Sequence, residues 1–132
     1  MKLLFDTHLL LQAAGAGDRS VGALPAAARA LIVDVANESM FSAASIWEVA
    51  IKHSLRRADF DADPHLLRRS LVDNGYQELP IDGGHAAAVA TLPRLHKDPF
   101  DRILIAQATV EGIILLTLDA VVASYPGPIQ KV

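Results

Sequence analysis

Four acidic residues lie far apart along the chain in similar local settings. Asp6 closes the apolar run LLFDTH and Asp119 closes ILLTLD, while Glu48 in SAASIWEVAIK and Asp101 in HKDPFDRILIAQA head apolar-periodic helices. A parallel α/β sheet gathers strand ends and helix starts on one edge, so carboxylates remote in sequence can meet there in one crevice. Left to themselves they would repel one another, and several would hold protons at neutral pH. A hard divalent cation such as Mg2+ or Mn2+ takes oxygen ligands and relieves that repulsion. The chemistry to expect is metal-dependent hydrolysis. The chain has no cysteine, which leaves carboxylates and imidazoles as its metal ligands. His8, His53, His65, His85 and His96 share no spacing such as His-x-x-x-His, so a zinc site is not expected.

Each acid also has an ordinary structural explanation. Ser45-Ile-Trp-Glu48 reads as a capping box with Glu48 in the first turn of its helix, and Trp47 reads as a core anchor. Asp98-Pro99-Phe100-Asp101 places an N-cap, a first-turn proline and an acid where the helix dipole favours negative charge. Asp82 follows a strand-like run and precedes a helix as the others do, and reads as a plain N-cap. It serves as the internal control.

The elements that must position these groups alternate between strand and helix. Leu3 to Phe5 reads as a strand, followed by a helix through Leu9, Leu10 and Ala13 that stops at Gly15 and Gly17. A helix opens near Pro25 with an apolar stripe at Ala28, Leu31, Ile32 and Val35, and a short strand from Met40 to Ala43 leads into the Glu48 helix. Arg56 to Asp63 is charged and turn-like, and Pro64 to Val72 is helical, stopping near Asn74 and Gly75. Gln77 to Ile81 reads as a strand, Gly84 to Leu92 as an Ala-rich helix, and Pro99 to Val110 as a helix ending at Gly112. Ile113 to Leu116 is the clearest strand, and a last one is expected near Pro128 to Gln130. With no repeat, low-complexity segment or linker, the expectation is a single α/β domain over residues 1–132.

Composition agrees with a folded domain. Of 132 residues, 52% are hydrophobic, enough for a real core, and no apolar run reaches the ~18 residues of a membrane span. The segment MKLLFDTHLLL is interrupted by Asp6 and His8 and is not read as a signal peptide, so a cytoplasmic protein is expected. The net charge of −3 has the wrong sign for binding nucleic acid through the overall field. Any RNA contact must be local, and the candidates are Lys52, Arg56, Arg57, Arg68, Arg69, Arg94, Lys97 and Arg102. Arg102, beside Asp101, and Lys52, one turn after Glu48, are the candidates for holding phosphate, against simple ion pairing of each.

The segments LLFDTH, SAASIWEVAIK, HKDPFDRILIAQA and LLTLD, in that order, together with ELPI before an Ala-rich helix and then LP, resemble those of PIN-domain ribonucleases, specifically VapC-type toxins of type II toxin–antitoxin pairs. The resemblance implies a PIN-like three-layer α/β/α fold with a short central parallel sheet flanked by helices. It implies an endoribonuclease that hydrolyses RNA with a water activated by Mg2+ or Mn2+, using one ion or two. By position, Asp6, Glu48, Asp101 and Asp119 match the catalytic, metal-binding quartet, and Asp98 is an additional acid in the same segment. Thr7 and Thr117 match polar positions that support the acids by hydrogen bonding. The partners implied are RNA, a VapB-type antitoxin and a second copy of the chain in a homodimer, with no membrane. Two rival readings are a receiver-like Mg2+-binding signalling domain and a PIN-fold module that binds without catalysis. The first lacks the paired acid after the opening strand and leaves Glu48 without a role, and an intact quartet argues against the second.

Overall fold

Strands β1 (Lys2–Phe5), β2 (Glu38–Ser42), β3 (Gln77–Leu79), β4 (Ile114–Thr117) and β5 (Ile129–Lys131) form one parallel sheet in the order β3-β2-β1-β4-β5. The computed structural model describes residues 1–15, 22–55 and 61–132. Gly17, the basic pair Arg56 and Arg57, and most of the charged turn expected after them lie outside the described residues. Around the sheet run α1 (Thr7–Ala14), α2 (Ala26–Val33), α3 (Ala43–Ser54), α4 (Pro64–Asp73), α5 (Gly83–Ala88), α6 (Pro99–Glu111) and α7 (Ala120–Ala123).

Alternation along the strands divides the core into two layers. Leu3 and Phe5 of β1, Phe41 of β2 and Leu116 of β4 pack with Leu9, Leu10 and Leu11 of α1, Val49 of α3, and Leu67 and Leu71 of α4. Leu4, Met40 and Leu115, one position out of step, pack with Leu104, Ile105 and Ala108 of α6 and with Val122 of α7. Leu3, Leu4 and Phe5 are all fully buried, which is why β1 reads as an unbroken apolar run. The result is the expected α/β/α sandwich. No helix among the described residues is long and apolar enough to cross a membrane.

The strand order places the site. The chain works outward from β1 through β2 to β3, then returns to the other side of β1 for β4 and β5. At the carboxyl end of the sheet the connections leave β1 and β4 in opposite senses, and that divergence opens a crevice. This order also excludes the receiver-like reading, whose sheet sets its third strand, not its fourth, beside the first.

Several boundaries differ from the sequence reading for local reasons. Helix α3 starts at Ala43, capped by the Ser42 hydroxyl that accepts from the Ala44 amide, so Glu48 lies in the second turn and Ser45 is not the cap. Strand β3 ends at Leu79 instead of Ile81, because Pro80 has no amide to donate. Helix α5 gives way after Ala88 to a 3-10 turn at Val89–Thr91, and Leu92, preceding Pro93, is extended. The short α7 was not anticipated. Trp47 is 61% exposed, resting edge-to-face on Phe100, and is not a core anchor.

Candidate active site

Asp6 is the first residue beyond β1 and the N-cap of α1. Its Oδ1 accepts from the Leu9 amide at 2.9 Å and its Oδ2 accepts from the Thr117 hydroxyl at 2.6 Å. Thr117 ends the neighbouring strand, and its oxygen accepts in turn from the Asp119 amide at 3.0 Å. One hydroxyl therefore ties together the acids that follow β1 and β4. Asp119 caps α7, its Oδ1 accepting from the Val121 amide at 2.7 Å.

The other side of the crevice comes from α3 and α6. Glu48 is buried, and Lys52 one turn later contacts its Oε2 at 3.0 Å. Thr7 donates to the Ser45 hydroxyl at 2.9 Å, joining the start of α1 to α3. It steadies the helix that carries Glu48. Asp98 caps α6 through the Phe100 and Asp101 amides, and Asp101 points from the first turn toward His96, whose Nε2 lies 3.0 Å from Asp101 Oδ2.

Asp6, Glu48, Asp98, Asp101 and Asp119 line one cleft of about 370 Å³, with Thr7, His8, Leu11, Lys52 and Leu118. Its electrostatics are those of buried carboxylates, with crowding a lesser cause. Burial pushes the Asp6 carboxyl above the usual range, with the Glu48 charge adding to the shift and the Thr117 hydroxyl and Leu9 amide opposing it. Burial likewise pushes Asp101 up to about 6, with Asp98 and Glu48 adding to it and His96 opposing it. Oxygen donors dominate the cleft, and Asp6 and Asp101 keep acceptor capacity beyond the bonds they already make. That donor set fits Mg2+ or Mn2+ and has no soft ligand to offer.

A family model, the PIN domain, matches residues 3–127. The chain belongs to the PIN domain family. No sequence among curated proteins matches it. Among solved structures, this PIN domain is similar to a chain of VapBC2 from Rickettsia felis bound to a promoter DNA fragment, with TM-score 0.68 and 12% identity over 99% of this chain and 98% of the other. A DNA-bound VapBC from Salmonella typhimurium gives TM-score 0.65 at 14% identity, covering 99% and 98%. A toxin–antitoxin complex from Klebsiella pneumoniae gives TM-score 0.60 at 20% identity, covering 97% and 95%. At these identities the likeness is one of fold.

Within this PIN domain, Arg102 faces away from the acids. Its guanidinium donates to the Pro93 carbonyl at 2.8 Å and to the Tyr125 hydroxyl at 3.0 Å, and it lines a separate apolar cleft with Trp47, Phe100 and Ile103. The expected phosphate contact is thus replaced by anchoring of the segment before α6. His96 and Tyr125, passed over or given little weight in the sequence, reach the site through Asp101. The only signal for His96 was its place two residues before Asp98, and Tyr125 carried none.

A second cluster, Asp82, His85 and Glu111, can offer ligand atoms within 4.8 Å of one another. Both ring nitrogens of His85 are already engaged. The His85 Nδ1 accepts from the Asp82 amide at 3.1 Å, which leaves the ring proton on Nε2, facing Glu111 Oε1 at 2.7 Å. The two acids lie against opposite nitrogens of one ring, which is the geometry of a capping box extended to α6 and not of a shared cation.

Proposed function

We propose that this PIN domain is a Mg2+- or Mn2+-dependent endoribonuclease and the toxin of a toxin–antitoxin pair. The observation that carries the reading is the convergence of five carboxylates on one cleft, with Asp6 and Asp101 both disfavoured as anions by burial. Asp6 and Asp101 would hold the ion, Glu48 and Asp119 would ligate directly or through water, and Asp98 would add charge at the rim. When bound, the ion supplies Lewis acidity toward phosphate and lowers the pKa of a water for in-line attack on phosphorus.

The chain's own residues set the geometry. The Leu9 amide and Thr117 hydroxyl fix both oxygens of Asp6, and the Thr7 to Ser45 bond fixes α3 against α1. RNA is repelled by this cleft until its charge is neutralised, so metal and RNA binding are coupled. Once Glu48 engages the ion, Lys52 can exchange its carboxylate partner for an RNA phosphate.

The fold shared with chains of VapBC and other toxin–antitoxin complexes supports a VapB-type antitoxin as partner in the cytoplasm. Exposed Val33, Val35, Leu66 and Val72 on and beside α2 and α4 offer apolar surface to an amphipathic segment. Trp47 and Ile51 of α3 and Leu55 at its C-cap offer apolar surface to a second copy.

The test incubates structured RNA with wild type and Asp6→Asn, in Mn2+ and then in chelator. Cleavage by wild type in Mn2+ alone is the expected result, and cleavage that survives chelation contradicts it. Metal and RNA binding without cleavage would favour the non-catalytic binding module. Growth arrest on expression, relieved by the neighbouring upstream reading frame, tests the toxin role.

A further inference from the structure

The segment before α6, α6 itself and the end of α7 meet at the Tyr125 hydroxyl, and the bonds there can be counted. Tyr125 is buried. Its oxygen lies 3.0 Å from Arg102 Nη1 and 3.2 Å from the His96 amide nitrogen, and both of these can only donate. With both lone pairs occupied, the hydroxyl must donate its own proton. The acceptor in reach is His96 Nδ1 at 2.7 Å. An imidazole that accepts at Nδ1 carries its proton on Nε2, and Nε2 lies 3.0 Å from Asp101 Oδ2.

We propose that Arg102, Tyr125 and His96 form a directional hydrogen-bond relay that positions Asp101, holding His96 as its Nε2–H tautomer so that Oδ2 is engaged from behind and the remaining oxygen is presented to the cleft. The proposal rests on the reading of Asp101 as a cation ligand and assigns positioning roles to residues that touch neither ion nor RNA. Arg102 is locked by the Pro93 and Val89 carbonyls, so the relay starts from a fixed donor. The Tyr125 ring packs edge-to-face on His96 at 5.3 Å, which limits rotation of the imidazole. Partners that orient a ligand in this way are worth about 10- to 100-fold in metal affinity. The relay also explains why an arginine next to Asp101 points away from the phosphate path.

Two readouts test it. In metal-free protein, nitrogen-15 NMR of His96 should show the Nε2–H tautomer, and Tyr125→Phe should shift the population toward Nδ1–H. An Nδ1–H tautomer in wild type, or no change in Tyr125→Phe, overturns the relay. Mn2+ titration should show affinity falling about 10-fold in Tyr125→Phe and further in His96→Ala. His96→Gln, whose amide can accept from Tyr125 and donate to Asp101, should recover much of that loss. Equal affinities for His96→Ala and wild type would overturn the positioning role. If wild type binds no Mn2+, the metal reading fails, while the tautomer measurement still decides the relay.

Discussion

Asp6 and Asp82 occupy the same local motif and have opposite fates. Each follows a strand, caps a helix, and accepts the amide of the residue three positions on, at 2.9 Å in both cases. The difference is in the sheet. Asp6 follows the central strand, where neighbours on both sides bury it to 6% exposure, whereas Asp82 follows the edge strand and keeps a 66% exposed side chain. A carboxylate in the first setting is costly as an anion and adds to a cleft of like charges. In the second it is a solvated cap. Local sequence sets the cap, and strand order decides whether the cap becomes chemistry.

The largest effect should come from exchanging charge at the two positions. Asp6→Asn should lower RNA cleavage at least ~10³-fold, about 4 kcal/mol of barrier, while Asp82→Asn should leave the cleavage rate unchanged. A similar loss at both positions would break the contrast.

Metal-free stability should separate the regions by pH. Asp101 titrates near 6 when folded against a reference of 3.8, so between these values the folded chain binds more protons than the unfolded one. The contribution of Asp101 is therefore fully present below about pH 4 and lost as pH rises through about 6, on the order of 1 to 2 kcal/mol after solvent screening of this partly exposed group. Denaturant melts in chelator should show this decline, Asp101→Asn should reduce it to the share that buried Asp6 contributes, and Mn2+ should offset it at pH 7. A decline unchanged in Asp101→Asn would place its origin elsewhere.

Thr117→Val removes the buried hydroxyl that joins Asp6 to the Asp119 amide while keeping the side-chain shape. It should cost about 1 to 2 kcal/mol of stability and weaken Mn2+ binding about 10-fold. Asp82→Ala, the matching cut at the control site, should cost about 1 kcal/mol through loss of its cap, with no change in Mn2+ affinity.

The smallest effect belongs to Lys52. Its pairing with Glu48 is worth ~0.3 to 0.5 kcal/mol, so Lys52→Ala should melt close to wild type yet raise the KM for RNA. An unchanged KM would leave Lys52 with an ion-pair role alone.

Much of this was legible in the sequence because it was local. Apolar runs named β1 and β4, and Asp98-Pro99 and Gly112 bounded α6 as expected. The local pattern of strand end or helix start also admits Asp82, so the quartet was singled out by its flanking apolar elements and by the family resemblance. What was not legible depends on packing. Ser42 was hidden as a cap because it looks like the tail of a strand, and its hydroxyl also donates to the buried Gln107, 65 residues away. Trp47 looked like core from its size, yet it lies on the outer face of α3. Arg102 sat beside an acid in sequence, but one position along a helix turns a side chain by about 100°, enough to send it to Tyr125.

The most direct measurement is anomalous diffraction from crystals of this PIN domain grown with Mn2+. The account expects a peak in the cleft, within coordination distance of Asp6 and Asp101 and absent in Asp6→Asn. A peak at His85 and Glu111 with the cleft empty, or no peak at any of these acids, would contradict it.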